Sequence, residues 1–455
     1  MHTSDKKPTI TIIGAGIAGC FFAILLSKRG YNVEIYERFS EDEVCNNASK
    51  KSYNVVFYGY GISILKKVGL WEIIEPILVK IVGSVTQVSQ NPPSSRFNQT
   101  DIPYFAMQRS QLLQIFINEA KKSQRVTFHF DTTLIAVSRK KRKMFIQNTK
   151  SNKYRTVTCN VIIGADGVHS QVRTFLQQGQ ETSHRQEYLP WEYKQIYLKK
   201  EFVEKLNLQT NLTYAWTRKS CVLFSYMNKD QSLSALLVLP KETKKSFASL
   251  TSEAKIETFF KENFSDFLPI LPQITKAMLH NPTSQFVTIY TEPWYYKDLM
   301  VLIGDAAHGF LPFSGQGMSA AFADCMELVE LIDKYGSDWA TIFPLYQANR
   351  KKHTDALANL SKKSFVQYLR YKKADYSAIY NKFDVLLYNF FPTIFNPPPY
   401  IPIATDPTHA ADHQDKHEQQ RKTAKFLGIP LLVHLATGII AIQEKFSQLY
   451  ARRKS

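Results

Sequence analysis

Thr11-Ile-Ile-Gly14-Ala-Gly16-Ile-Ala-Gly19 is the stretch on which the reading of this chain turns. The run from Ile10 to Ile13 is short, mostly apolar and β-branched, the pattern of a buried parallel strand. After it, Cys20-Phe-Phe-Ala-Ile-Leu-Leu-Ser-Lys-Arg-Gly30 reads as a helix stopped by glycine. Each glycine has a separate task. Gly14 permits the tight turn, Gly16 lets backbone come close to a pyrophosphate, and Gly19 lets helix pack on strand. The helix start offers free N–H groups and a partial positive charge to the phosphates. A second strand, Tyr31-Asn-Val-Glu-Ile-Tyr-Glu37, ends in a carboxylate 18 residues past Gly19, near the position that binds a ribose. Arg38 follows it.

Two further signatures lie downstream in fixed order. Val161-Ile-Ile-Gly-Ala-Asp166-Gly167-Val-His-Ser170 is an apolar strand running into an aspartate turn, with Arg173 just beyond. Met300-Val-Leu-Ile-Gly304-Asp305-Ala-Ala-His308 is a third such strand with an aspartate at its tip. A carboxylate there accepts hydrogen bonds from ribitol or ribose hydroxyls. Taken singly, either aspartate reads equally well as a helix cap or turn former. Gly309-Phe-Leu-Pro312-Phe-Ser-Gly315-Gln-Gly317-Met-Ser then leads into a helix. Gly315 and Gly317 allow backbone beside a flat ring, and the helix start faces its electron-rich edge. Together the three signatures point to a bound FAD.

These motifs resemble those of the group A FAD-dependent aromatic hydroxylases. The run Pro312-Phe-x-Gly-Gln-Gly-Met-x-Ala-x-Phe-x-Asp324-Cys325 is most similar to the kynurenine-hydroxylating branch. Gln186-Glu-Tyr-Leu-Pro190, Ala215-Trp-Thr-Arg218 and Phe391-Pro-Thr-Ile-Phe395 resemble the same branch. The resemblance implies an α/β chain. Its parts are a discontinuous FAD-binding dinucleotide fold, an inserted mixed β-sheet substrate domain and a C-terminal helical region. It implies FAD contacts at Glu37, Arg38, Arg109, Leu134, Asp305, Met318 and Ser319, alongside Gly14, Gly16, Gly19, Asp166 and Gly317 from the motifs. NADPH or NADH is the implied cosubstrate, and O2 the source of the oxygen inserted into an aromatic ring. Pro312, Gly315 and Gln316 are the candidates for the catalytic position beside the ring, with Phe313 next to them. L-kynurenine or a related compound is the implied substrate.

The substrate half departs from the resemblance. The strand expected to carry a carboxylate-binding arginine reads Leu78-Val-Lys80-Ile-Val-Gly-Ser-Val, which leaves Lys80 as the candidate. Ser364 stands where the resemblance implies an asparagine, and Tyr104 near an implied tyrosine. Two other readings stay open. One is an epoxidase or reductase acting on a lipid-like substrate. The other is a non-catalytic flavin-binding membrane protein. His169 and His308 are read as structural members of their motifs.

The expected division assigns residues 1–75, 100–180 and 285–345 to the FAD-binding domain and 76–99 and 181–284 to the substrate domain. Residues 346–425 form a helical region and linker, and 426–455 an apolar tail with a basic flank. Residues 404–421 read as a polar, solvated linker, although His409, His413 and His417 recur every four residues. No His-Glu-x-x-His or Cys-x-x-Cys occurs, so no metal is expected. The five cysteines are far apart and fit a reducing, cytoplasmic setting. The apolar stretch near the N-terminus is the first strand itself, so no signal peptide is read. The formal charge is +18, and its one dense run, Arg139-Lys140-Lys141-Arg142-Lys143, reads as a solvated hairpin tip. No nucleic-acid motif accompanies it. The tail is at the short limit for a spanning helix, and its basic ends suit contact with a membrane surface.

Overall fold

In the computed structural model, residues 7–47, 53–90, 93–218, 221–243, 245–370, 384–385, 387–390 and 392–426 are described. The expected apolar tail lies almost wholly outside them. Among the described residues, no helix is long and apolar enough to cross a membrane.

The three signature strands lie side by side. A six-stranded sheet runs Tyr295–Tyr296, Met300–Leu302, Val161–Gly164, Ile10–Ile13, Val33–Tyr36, Val126–His129, parallel except for the first. Ile10, Ile12, Val161, Ile162, Met300 and Val301 are buried, which is why these strands read as continuous apolar runs. Helices Ile17–Lys28, Arg109–Lys121 and Gly317–Tyr335 pack together through Phe21, Phe116 and Phe322. A three-stranded antiparallel sheet, Thr132–Ser138, Lys143–Asn148 and Tyr154–Thr158, adds Leu134, Met144 and Ile146 to the same core.

The second sheet has eight strands: Ser284–Glu292, Ser183–Leu198, Leu233–Pro240, Cys221–Met227, Leu212–Arg218, Val79–Gln90, Pro93–Gln108, Asn54–Phe57. It is mixed, because Leu212–Arg218 runs parallel to Val79–Gln90. Its own core packs Trp216, Leu223 and Leu237 against Phe260, Phe267 and Ile274 of the covering helices. Residues 54–57, 100–108 and 284–292 are hydrogen-bonded into this sheet, although the sequence division groups most of them with the first one. Short β-branched runs carry no signal for which of two sheets they join.

Residues 404–421 differ from the expected solvated linker. Helix Ala410–Phe426 packs on Trp339–Arg370, with Ala410 buried against Leu357 and Ile403. Its polar composition conceals the packing because much of the contact is by hydrogen bond. Gln414 Nε2 donates to the Ala356 carbonyl at 2.7 Å, and Lys352 pairs with Asp412 at 3.1 Å. The histidines go separate ways: His409 pairs with Asp406, and His417 with Asp384.

One buried carboxylate ties three segments together. Asp324 Oδ2 accepts from the Gly304 backbone N–H at 2.9 Å and from His308 Nε2 at 2.5 Å. Asp324 Oδ1 accepts from Arg350 Nε at 3.0 Å, with both side chains essentially inaccessible. Burial alone would raise this carboxyl, but His308 and Arg350 hold it below the usual carboxylate range. Arg173 makes a second tie, donating to the Ala306 carbonyl at 2.7 Å and the Val168 carbonyl at 2.6 Å.

All five cysteines are free and buried. Burial pushes the Cys159 thiol up to about 11 and that of Cys221 to about 12, and raises Cys20, Cys45 and Cys325 as well.

Replacing Asp324 by Asn strands the Arg350 charge in the interior and is expected to cost about 3–5 kcal/mol of stability. Asp333→Asn breaks the exposed 2.7 Å pair with Arg29 and is expected to cost no more than about 1 kcal/mol. Urea unfolding of the two variants checks the contrast. Because the folded Asp324 carboxyl is depressed, its contribution is present above the unfolded carboxyl range and is lost as pH falls through the folded value.

Candidate functional site

The carboxyl ends of the signature strands open into two cavities. The first, about 440 Å³, is lined by Ile13 to Gly16, Glu37, Arg38, Leu134, Asp166 and Gly167. The second, about 290 Å³, is lined by Tyr58, Tyr104, Phe224, Tyr226, Asp305 and the turn from Leu311 to Gly315. Arg109, Gly16, Ala165 and Gly167 line both, so the two share a wall.

The glycine turn has the shape its motif requires. Gly14 sits at φ +104°, and a Cβ there would stand 2.6 Å from the Ala165 carbonyl oxygen. At Gly19 a Cβ would stand 2.1 Å from the Gly14 oxygen, so strand and helix touch backbone to backbone. Gly16 meets nothing closer than 3.9 Å; its free side is the space of the cavity. Helix Ile17–Lys28 has no side-chain cap and no acid in its first turn, which leaves its positive end open to a diphosphate. Glu37 Oε2 accepts from the Ala15 N–H at 2.9 Å and Oε1 from the Phe39 N–H at 3.1 Å, which fixes the carboxylate at the rim. Arg38 lies over the Phe39 ring, 4.7 Å from its centroid. An adenosine diphosphate half fits this donor set.

Asp166 is differently employed. Its carboxylate accepts from Ser170 Oγ at 2.5 Å and from the Gln171 and Val172 N–H groups at 2.7 and 3.2 Å. It caps helix Gln171–Gln177 while still lining the first cavity. Burial raises its carboxyl against the pull of those bonds.

At the other end, Gly315 adopts φ +66°, and a Cβ there would press to 2.7 Å from Val56 Cγ2 and 3.2 Å from Tyr58 Cε2. Helix Gly317–Tyr335 begins immediately after, with no side-chain cap. Gly317 and Met318 line the second cavity with Pro312, Phe313 and Gly315. Ser319 is fully buried and lines neither. Arg109 and Asp305 line the same cavity as this turn.

The substrate-side candidates separate. Tyr104 lines the second cavity, its ring 5.1 Å from Tyr58. Burial holds its phenol above the ordinary value, so it stays protonated. Gln316 and Ser364 meet in a third, smaller space of about 180 Å³ behind Phe313, lined also by Ile102 and Tyr400. Gln316 is buried, and its Oε1 has no hydrogen-bond partner among the described residues. Ser364 Oγ donates to the Leu360 carbonyl at 3.0 Å. Lys80 is not brought to any of these spaces. Alternate side chains of a strand face opposite ways, and Val79 and Ile81 take the inner face with Val56 and Ala106, leaving Lys80 exposed. His308 is committed to Asp324, as its structural reading implies.

Several wall residues carried no signal in the sequence. Tyr53 and Tyr58 flank strand Asn54–Phe57, whereas Phe224, Tyr226 and Leu236 lie far on in the chain on Cys221–Met227 and Leu233–Pro240, and only the sheet order assembles them.

Comparison with known proteins agrees with this geometry. The chain matches the FAD binding domain family over residues 7–361. A kynurenine 3-monooxygenase of Legionella pneumophila is 34% identical over 356 residues, 77% of this chain and 78% of that one. The same enzyme of Salinispora tropica is 31% identical over 79% of this chain and 80% of its own. Among solved structures, 2-methyl-3-hydroxypyridine-5-carboxylic acid oxygenase superposes with a TM-score of 0.67 at 18% identity, covering 82% of this chain and 94% of that one. A tetracycline destructase does so with a TM-score of 0.61 at 18% identity and the same coverage. The last two likenesses concern the fold alone. The strand–glycine–helix cradle and the two aspartate turns are thus those of an FAD-binding protein with NAD(P)H as cosubstrate, and the chain belongs to the kynurenine 3-monooxygenase family of FAD-dependent monooxygenases.

Proposed function

We propose that this chain hydroxylates the ring of L-kynurenine, or of a closely related aromatic compound, in the cavity between Tyr104 and the turn from Pro312 to Gly315. The observation that carries the reading is the wall, including Arg109 and Gly16, that this aromatic-lined space shares with the glycine-lined cleft. Bound FAD would supply the redox and oxygen-activating chemistry, with NAD(P)H as the reductant. The chain's own residues place and shield the reactants. Phe224, Tyr226, Leu236 and Phe313 exclude water, and the three aromatic side chains among them offer ring faces to an aromatic substrate. The protonated Tyr104 hydroxyl is a donor for a substrate carbonyl or ring substituent. Gly14, Gly16, Glu37, Arg38 and Leu134 serve the adenosine end. Arg109, Asp305, Met318 and the backbone of 317–319 serve the flavin end. Among the described residues, Arg109 is the cation that lines the second cavity, and it is better placed than Lys80 to meet a substrate carboxylate.

The functional division follows from the same reading. The six-stranded sheet with its helices holds FAD, the eight-stranded sheet holds the substrate, and the helical region closes the third space. The apolar tail of 426–455 adds contact with a membrane surface, supported by its composition and basic flank.

Purified protein is expected to be yellow and to consume NADPH faster with L-kynurenine, forming 3-hydroxykynurenine. A yellow protein indifferent to L-kynurenine would redirect the search to other aromatic or lipid substrates. Gly315→Leu combines a left-handed backbone, at roughly 1–3 kcal/mol, with a clash against Val56 and Tyr58. It is expected to lose FAD retention or turnover, read from the flavin absorbance and from NADPH consumption. Deleting residues 424–455 is expected to lower the membrane-pellet fraction of the protein on cell fractionation; an unchanged fraction would remove the tail from the account.

A further inference from the structure

The three-stranded sheet has an outer face that the FAD and substrate sites do not use. Residues 132–158 contain eight Lys or Arg and no Asp or Glu. Two of those cations are spent on ion pairs, Lys150 with Asp131 and Arg142 with Asp298. Lys140, Lys141, Lys143 and Lys153 are exposed. In the same sheet Met144, Ile146 and Leu134 face the core, so the strand period turns Lys143, Phe145 and Gln147 outward. Thr156 pairs with Phe145 and Tyr154 with Gln147, which makes Phe145 and Tyr154 diagonal neighbours on the outer face. A register shift between Leu134 and Ala136 leaves Ile135 exposed too. Ile135, Phe145 and Tyr154 are 42%, 40% and 70% exposed, three of the large apolar side chains this molecule shows to solvent.

We propose that this face docks on an anionic lipid surface, with Ile135, Phe145 and Tyr154 entering the interface and Lys140, Lys141, Lys143 and Lys153 at headgroup level. An anionic bilayer answers both halves of the patch: phosphate and carboxylate for the lysines, acyl boundary for the apolar strip. A nucleic-acid strand answers the charge and the aromatic rings but gives the branched Ile135 nothing to stack on. The sheet adjoins the adenosine end of the cofactor cleft through Thr132, Thr133 and Leu134, so docking here sets that cleft close to the bilayer. The proposal is independent of the C-terminal tail.

The test is flotation of the full-length protein with phosphatidylcholine vesicles, with and without phosphatidylserine. The wild-type chain is expected to bind the anionic vesicles and to release them as salt rises. The triple variant Lys140→Glu, Lys141→Glu, Lys143→Glu is expected to bind about tenfold more weakly or worse. Phe145→Ser with Tyr154→Ser is expected to weaken binding severalfold at unchanged charge. Both variants keep the tail, and retained FAD absorbance and NADPH consumption show that they are folded. Equal binding by wild type and both variants assigns the lipid contact elsewhere and overturns the proposal, as does wild-type indifference to anionic lipid. Displacement of the vesicles by a single-stranded oligonucleotide, bound more tightly than lipid, assigns the face to nucleic acid and overturns it equally.

Discussion

The structure depends on a carboxylate that never meets a ligand. Asp324 is fully buried on helix Gly317–Tyr335 and holds the Gly304 N–H, the His308 ring and the Arg350 guanidinium at once. Gly304 and Asp305 form the tip of a signature strand, and the start of the same helix lines the second cavity. Arg350 reaches in from the next helix. The geometry of strand tip, helix start and C-terminal region is therefore set by one charge rather than by three separate contacts. Such a site tolerates little change, because removal of any partner leaves a buried charge or donor unanswered.

The second constraint is steric. Gly14 and Gly19 bring backbone within a distance that no side chain permits, and Gly315 takes a left-handed conformation against Val56 and Tyr58. Gly16 is different, since its missing side chain leaves space rather than closing a gap. The adenosine cleft and the ring-lined cavity are thus shaped by absent Cβ atoms at a few positions, while the walls between them come from the aromatic residues of a separate sheet.

The FAD half was legible because its chemistry forces local patterns. A strand, three glycines and a helix must be consecutive in sequence, and so must an aspartate turn at a strand tip. Even there the reading had limits. Asp166 and Asp305 look alike in sequence, yet Asp166 spends its carboxylate on capping a helix and Asp305 faces the cavity. The substrate half was less legible, because its wall is drawn from strands 54–57, 93–108, 221–227 and 233–240 and exists only once they are paired. Lys80 was the cation nearest in sequence to the expected place, but strand alternation turned it outward. Arg350 had no signal at all, since nothing in its helix announces a partner 26 residues away. The packed helix Ala410–Phe426 was hidden by a polar composition that binds through hydrogen bonds instead of an apolar stripe.

The burial of all five cysteines has a consequence for an enzyme that handles oxygen. Whenever a reduced flavin is oxidised without hydroxylating anything, hydrogen peroxide is released inside the protein's own site. Peroxide attacks thiolate, not thiol. With Cys159 and Cys221 raised to about 11 and 12, and the other three raised as well, hardly any thiolate exists at neutral pH and none of the five sulfurs is exposed. The packing that stabilises the two cores thereby also keeps the five sulfurs in their less reactive form and away from that stray product.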